Sequence, residues 1–242
     1  KTKNHKSIIE NIDIGGPTLV RAAAKNFNDV AVITSTDQYN ELINEVQKNK
    51  GSTSIEFRQK LSEEAFGQTA YYDAIINNYF TNKAKNVFPK RKLIYGNRIQ
   101  KLRYGENPHQ EAAIYSYNKS LDIIQLHGKK LSYNNYNDLY SAINISKTLP
   151  KNTGTVIVKH ANPCGVSIHK NKIESYKKAL RCDPISAFGG IVSCNYKIKK
   201  NLALELNKMF YEVIIGNGFD KEAITILKKK KNIRIIDASN LK

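Results

Sequence analysis

The chain has 242 residues, enough to bury one large core or two modest ones, and its 40% hydrophobic and 25% charged content is ordinary for a globular protein. No window approaches the roughly 20 apolar residues of a membrane-spanning helix and no signal-peptide pattern opens the chain, so a cytoplasmic protein with no membrane partner is expected. The formal net charge of +18 invites a nucleic-acid reading, but the lysines are spread out, with local runs only at Lys90 to Lys92, Lys199-Lys200 and Lys228 to Lys231, so we read a solvated basic surface that attracts small anions and expect no nucleic-acid partner.

The chain opens on a polar stretch at Lys1 rather than on Met, so its natural start is expected to lie upstream. IDIGGPTLV, Ile12 to Val20, reads as an apolar entry, an acid, a glycine pair and a helix start, with Pro17 in the first turn and helix continuing to Lys25. A strand is predicted over Val30 to Thr34. Ser35 with Gln38 forms a capping-box signal for a helix ending near Gly51. Thr53 with Glu56 forms a second, opening a long helix to about Phe80 whose apolar positions include Phe57, Leu61 and Ala65. Residues 81–100 are polar and basic with Pro89, which marks a linker containing a short strand at Leu93 to Tyr95.

The second half alternates. Strands are predicted at Ala112 to Tyr117, Ile123 to Leu126, Thr155 to Lys159, Gly190 to Cys194, Val213 to Ile215 and Ile233 to Ile236. Helical patterns fall at 138–148, 171–181, 198–208 and 220–230, which predicts an α/β layered domain with a substantially parallel sheet.

Chemistry concentrates between these elements. Val156 to Val158 deliver Lys159 and His160 to a strand end, and Asn162-Pro163-Cys164-Gly165 reads as a sharp turn. A cation beside the one side chain that titrates near neutrality suits acid–base work. In LRYGENPHQ, Arg103 offers a planar fork for phosphate and Tyr104 a stacking ring. Asn135 and Asn137 of LSYNNYND could read an amide edge or serve as turn and cap residues. In RCDPISAFGG, Phe188 supplies a ring while Gly189 and Gly190 allow close backbone approach. The glycine pair after Asp13 can present amides to an anion, or simply make a tight strand-to-helix turn. There is no G-x-x-x-x-G-K-[ST] and no G-x-G-x-x-G, which removes support from kinase, ATPase and dehydrogenase readings. The three cysteines, Cys164, Cys182 and Cys194, are odd in number and fit a reducing compartment. Pro163-Cys164 matches half of the zinc-deaminase P-C-x-x-C, but position 167 is Ser and no H-x-E is present, so no metal is expected.

Taken together, IDIGGPTLVRAAAKN, LRYGENPHQ, LSYNNYND, VKHANPCGV and RCDPISAFGGIV resemble the bifunctional AICAR formyltransferase/IMP cyclohydrolase family of purine biosynthesis. The motifs occur in the family's order and cover essentially the whole chain, although the family's proteins are longer. The resemblance implies an α/β protein of two domains. Residues 1–81 would be the rear of the cyclohydrolase domain, a partial Rossmann-like (methylglyoxal-synthase-like) layer. Residues 82–100 would be a linker and 101–242 the front of a cytidine-deaminase-like formyltransferase domain.

The resemblance also implies formyl transfer from the co-substrate 10-formyltetrahydrofolate to AICAR, then closure of FAICAR to IMP with loss of water. His160 would take a proton from the attacking amine and Lys159 would stabilise charge in the transition state. Arg103 and Tyr104 would hold the nucleotide, Gly189 would touch it through its backbone, Asn135 and Phe188 would line the pocket, and Glu212 would face the ribose. On the cyclohydrolase side Asp13 and Ile14 would contact nucleotide and Lys25 would handle protons. A homodimer is implied at full length, and the chain alone is expected to be inactive. Two other readings remain: an inactive remnant of this enzyme, and a basic nucleic-acid-binding module whose affinity falls steeply with salt.

Overall fold

The computed structural model describes residues 4–118 and 120–241, which divide into two compact units, Lys1–Gly96 and Asn97–Lys242. No helix of the described residues is long and apolar enough to cross a membrane.

The described part of the first unit is helical: α1 (His5–Glu10), α2 (Gly15–Lys25), a 3-10 turn (Thr36–Gln38), α3 (Tyr39–Lys48) and α4 (Ile55–Lys83). The Ser35–Gln38 capping box forms as its spacing predicts, with Gln38 Oε1 accepting from Ser35 N at 3.0 Å. The second cap is shifted by one residue. Ser54 accepts from Phe57 N, while Thr53 turns its hydroxyl to Arg58 Nη1 at 3.1 Å. Leu61 and Ala65 of α4 are fully buried, as is Ala24 of α2, and Ser62 Oγ donates to Ala24 O at 2.7 Å, fastening α4 to α2.

The strand predicted over Val30 to Thr34 is absent. Among the described residues no partner strand lies beside it, and Val30 N instead donates to Asn26 O at 3.0 Å. A strand without a ladder leaves its amides unpaired, so periodicity alone does not create one. Leu93 to Tyr95 also forms no strand; regular structure resumes at Asn97.

In the second unit β1 (Asn97–Lys101) and β2 (Ala113–Ser116) form an antiparallel pair. The remaining elements are β3 (Ile124–His127), α5 (Tyr133–Thr148), β4 (Gly154–Lys159), β5 (Asn162–Ile168), α6 (Lys172–Cys182), α7 (Pro184–Ala187), β6 (Ile191–Cys194), α8 (Lys200–Leu206), β7 (Val213–Gly216), α9 (Lys221–Leu227) and β8 (Arg234–Asp237). They build a six-stranded sheet in the order β3-β8-β7-β6-β4-β5.

The sheet is mixed, not substantially parallel as the alternation predicts. Only β6-β7-β8 run parallel, joined through α8 and α9, whereas β3 pairs antiparallel with β8 and β4 antiparallel with both β5 and β6. The reason is β5, which reads from sequence as a turn. Its Pro163 and Gly165 are tolerated because β5 is an edge strand. Gly165 also allows α6 to approach, since a Cβ there would lie 2.0 Å from Ala179 O.

Helices cover both faces of the sheet. Ile157, Val192, Ile214 and Ile235 pack with Tyr176 and Ala179 of α6, Leu202 and Leu206 of α8 and Leu227 of α9. Val156, Val158, Ile191, Val213 and Ile215 pack with Leu139, Ala142 and Ile143 of α5. β4 therefore alternates between two dry layers, which is why it reads as a continuous apolar run.

Gly165→Ala is expected to destabilise the protein by about 1–3 kcal/mol through overpacking against α6, read as a lower urea midpoint. Burial pushes the Cys194 thiol up to about 12, so at pH 8 a thiol-reactive disulfide should label exposed Cys182 rapidly and Cys194 only after unfolding.

Candidate active site

The Lys159-His160 pair ends β4 at a hairpin tighter than its sequence suggests. Lys159 pairs across the ladder with Asn162, leaving only His160 and Ala161 in the turn. Both have positive φ, 53° and 60°. Two left-handed central residues define the I′ type of hairpin turn, whose usual sequence is Asn-Gly or Asp-Gly. The reversal thus precedes Asn162-Pro163, which already belong to β5. An L-residue in this region costs about 1–2 kcal/mol, and here two adjacent ones are held in it.

Several contacts hold the turn. Ala161 N donates to Asp138 Oδ1 of α5 at 2.7 Å. Asn162 Nδ2 donates to His160 O at 2.8 Å. Lys159 Nζ reaches Phe188 O at 2.9 Å, tying the end of β4 to the loop after α7. The early turn also removes the difficulty of neighbouring side chains facing opposite sides of a strand, because the strand ends at Lys159.

From Phe188 the contacts continue around a ring. Gly189 has φ 72° and its N–H donates to Phe210 O at 2.9 Å; Phe188 and Phe210 pack with ring centroids 5.7 Å apart. Glu212 N donates to Gly190 O at 3.0 Å. The Glu212 carboxylate accepts from Asn135 Nδ2 at 2.8 Å and lies 3.8 Å from Arg234 Nη1. Asn135 and Asp138 are three residues apart on α5, hence on one helix face, which closes the ring back at Ala161. Lys159, His160, Phe188, Gly189, Glu212 and Asn135 are brought together in this way.

Arg103 and Tyr104 adjoin the same region through Arg234. All three line a cavity of about 490 Å³ that Lys101, Lys129 and Lys130 also line, with no carboxylate on its wall. The Arg103 guanidinium carbon sits 5.7 Å from the Tyr104 ring centroid. Arg234 Nε is buried with no hydrogen-bond partner among the described residues. A concave wall of cations is suited to an anionic group.

Sequence reasoning missed Asp138, Lys129, Lys130 and Arg234. Lys129-Lys130 sit next to LSYNNYND, and Arg234 is a lone charge entering the apolar run Ile233 to Ile236; these were the available signals. Asp138 closes LSYNNYND, but nothing local shows its role, because that depends on a residue 23 positions away.

Two further groups are tied into structure. The Cys164 thiol donates to Ile157 O at 3.5 Å, and burial raises its pKa, which disfavours the thiolate. Asp183 caps α7, and the hydrogen bonds it takes from Ser186 hold its carboxyl below the usual range. Among the described residues no group of three or more His, Cys, Asp or Glu side chains could hold a metal ion.

In the first unit Asp13 Oδ1 accepts from Gly16 N at 3.0 Å and Asp13 N donates to Tyr72 Oη at 2.9 Å. Asp13 lines an open cleft of about 400 Å³ with Pro17, Thr34 and Tyr72. Ile14, at the N-terminus of α2, and Lys25, in its last turn, do not line this cleft.

Residues 23–242 match the family model described as AICARFT/IMPCHase bienzyme. The chain belongs to this family. It is 44% identical to the bifunctional purine biosynthesis protein PurH of Bradyrhizobium diazoefficiens over 247 aligned residues, covering 100% of the chain and 47% of that protein. PurH of Oceanobacillus iheyensis is 42% identical, with 97% of the chain and 46% of the relative covered. PurH of a Thermoanaerobacter species is 47% identical, with 94% and 45% covered. The chain thus spans about half the length of the curated relatives it matches. Family membership accounts for the order of the five motifs along the chain; the ring of contacts shows how three of them converge in the second unit, with LRYGENPHQ at the adjoining cavity.

Ala161→Gly is expected to stabilise the protein by up to about 1 kcal/mol, because relief of left-handed strain outweighs the extra unfolded-state freedom of glycine. Ala161→Val should destabilise it, and chemical denaturation of the two variants compares both.

Proposed function

We propose that this chain supplies part of an enzyme that formylates AICAR with 10-formyltetrahydrofolate and cyclises the product, FAICAR, to IMP. The observation that carries this reading is the convergence of Lys159, His160, Asn135, Phe188, Gly189 and Glu212 on one closed ring beside a cationic cavity. We assign the first unit to the rear of the cyclohydrolase domain and its methylglyoxal-synthase-like layer. The second, with helices on both faces of its mixed sheet, is assigned to the front of the cytidine-deaminase-like formyltransferase domain.

The AICAR amine is a poor nucleophile because its lone pair is delocalised into the imidazole and carboxamide. His160 takes its proton as the nitrogen attacks the formyl carbon, Lys159 stabilises the developing oxyanion, and the proton passes to N10 as the formyl C–N10 bond breaks and tetrahydrofolate leaves. The strained turn supports these roles by holding the two side chains at a fixed strand end. Arg103 and Tyr104 hold the nucleotide at the cationic cavity, Asn135 and Phe188 line its pocket, Gly189 approaches it through the backbone, and Glu212 faces the ribose. For ring closure, Asp13 and Ile14 contact the nucleotide and Lys25 moves protons. The cleft at Asp13 supports the first of these, whereas Ile14 and Lys25 are assigned from the motif alone. The whole enzyme is proposed to be a cytoplasmic homodimer without a catalytic metal.

In the full-length protein carrying this sequence, His160→Ala should lower formyl transfer by about 10²–10⁴-fold, with AICAR affinity by calorimetry changed less than about threefold. Normal formyl transfer by that variant would overturn the role given to His160.

A further inference from the structure

The hairpin that carries His160 is held by one side chain from outside itself for which the proposed chemistry has no use. Asp138 lies inside α5, where Asp is among the poorer helix formers because its short carboxylate competes with the backbone for hydrogen bonds. It is not a cap: Ser132 and Asn135 make the capping box of α5. Its Oδ1 accepts from the N–H of Ala161, at 2.7 Å. That amide belongs to the second of two left-handed residues, and His160 is the first.

We propose that Asp138 is the positioning residue for His160, a conclusion that rests on the proposed role of His160. Its carboxylate fixes the left-handed turn from the α5 side and thereby sets where the imidazole stands. Two physical arguments support this. An alanine amide in a turn has no intrinsic preference for positive φ, so an outside acceptor is needed to keep the hairpin from relaxing to another turn type. A charged acceptor also makes a shorter and stronger bond than a neutral one, which suits a clamp against strain. Asn162 Nδ2 adds a local tie to His160 O, but it moves with the hairpin and cannot reference it to the fold. Asp138 can, because α5 is packed through Leu139, Ala142 and Ile143 against the sheet. The same helix face holds Glu212 through Asn135, so α5 sets the distance between the base and the ribose-facing carboxylate.

The test compares variants of the full-length protein by steady-state kinetics and amide hydrogen exchange. Asp138→Ala should lower kcat for formyl transfer by about 10–100-fold, the effect of misplacing a catalytic group, with KM for AICAR within about twofold. The Ala161 amide should exchange about 10–100-fold faster, as expected on losing a bond to a charged acceptor. Asp138→Asn keeps an oxygen that accepts the same N–H, and should restore kcat to within about threefold of the parent. Asp138→Glu, which keeps the charge but moves it by one methylene, should lower kcat with little change in KM, and carries the test if the alanine variant does not fold.

An unchanged kcat in Asp138→Ala, or in Asp138→Glu where that variant stands in, alongside an inactive His160→Ala would overturn the positioning role and leave the proposed function intact. An Asp138→Asn as defective as Asp138→Ala would also overturn it, since an oxygen able to accept the Ala161 N–H would then do nothing for turnover. An active His160→Ala would instead overturn the reading on which the inference rests.

Discussion

Everything around the candidate active site depends on the double burial of β4. Val156 and Val158 face the α5 layer and Ile157 faces the α6 layer, all three without measurable exposure. Moving the strand by one residue would exchange its two faces and place a different set of side chains in each layer. The register is therefore tightly specified, and with it the position at which the chain emerges from the core. That position is occupied by Lys159 and His160. A pair of polar residues thus gains a fixed address from the apolar residues before it.

The site lies where strand direction alone would not place it. Ligands of open parallel sheets gather beyond the carboxyl ends of the strands. Here the carboxyl end of β4 coincides with the amino ends of β6, β7 and β8, because β4 runs antiparallel to β6. Gly189, Glu212 and Arg234 therefore approach from the amino side of the parallel strands, and Lys159 from the carboxyl side of its own. Cationic groups on the cavity wall and two half-buried carboxylate-to-amide links, Glu212 to Asn135 and Asp138 to Ala161, then provide the electrostatics. Polar groups are joined to one another around the ring, which limits the cost of drawing them together at the edge of a dry core.

Legibility differed between elements for identifiable reasons. The strands around Thr155–Lys159, Gly190–Cys194, Val213–Ile215 and Ile233–Ile236 could be read because burial on both faces leaves long apolar runs. The helices after them could be read because their apolar residues recur with helical period. β5 could not, since its Pro163 and Gly165 are turn residues in any local reading and only an edge position makes them acceptable in a strand. Val30 to Thr34 failed in the opposite way: it has strand composition, but among the described residues no neighbour completes its hydrogen bonds. At the site, the residues in dense motifs were recoverable one by one. The roles of Asp138 and Arg234 were not, because each acts through a partner brought near only by folding.

The sequence by itself determined the family, the α/β character and most of the residues that meet in the ring, because those are carried by local composition and by motifs that keep their order along the chain. The tertiary structure alone decided the mixed direction of the sheet, the left-handed turn at His160-Ala161 and the links from α5 to Ala161 and Glu212. The physical reason is the same in each case. Strand pairing, a strained turn and a hydrogen bond between residues 23 or 77 positions apart are set by which surfaces the core brings together, and no local stretch of chain encodes that.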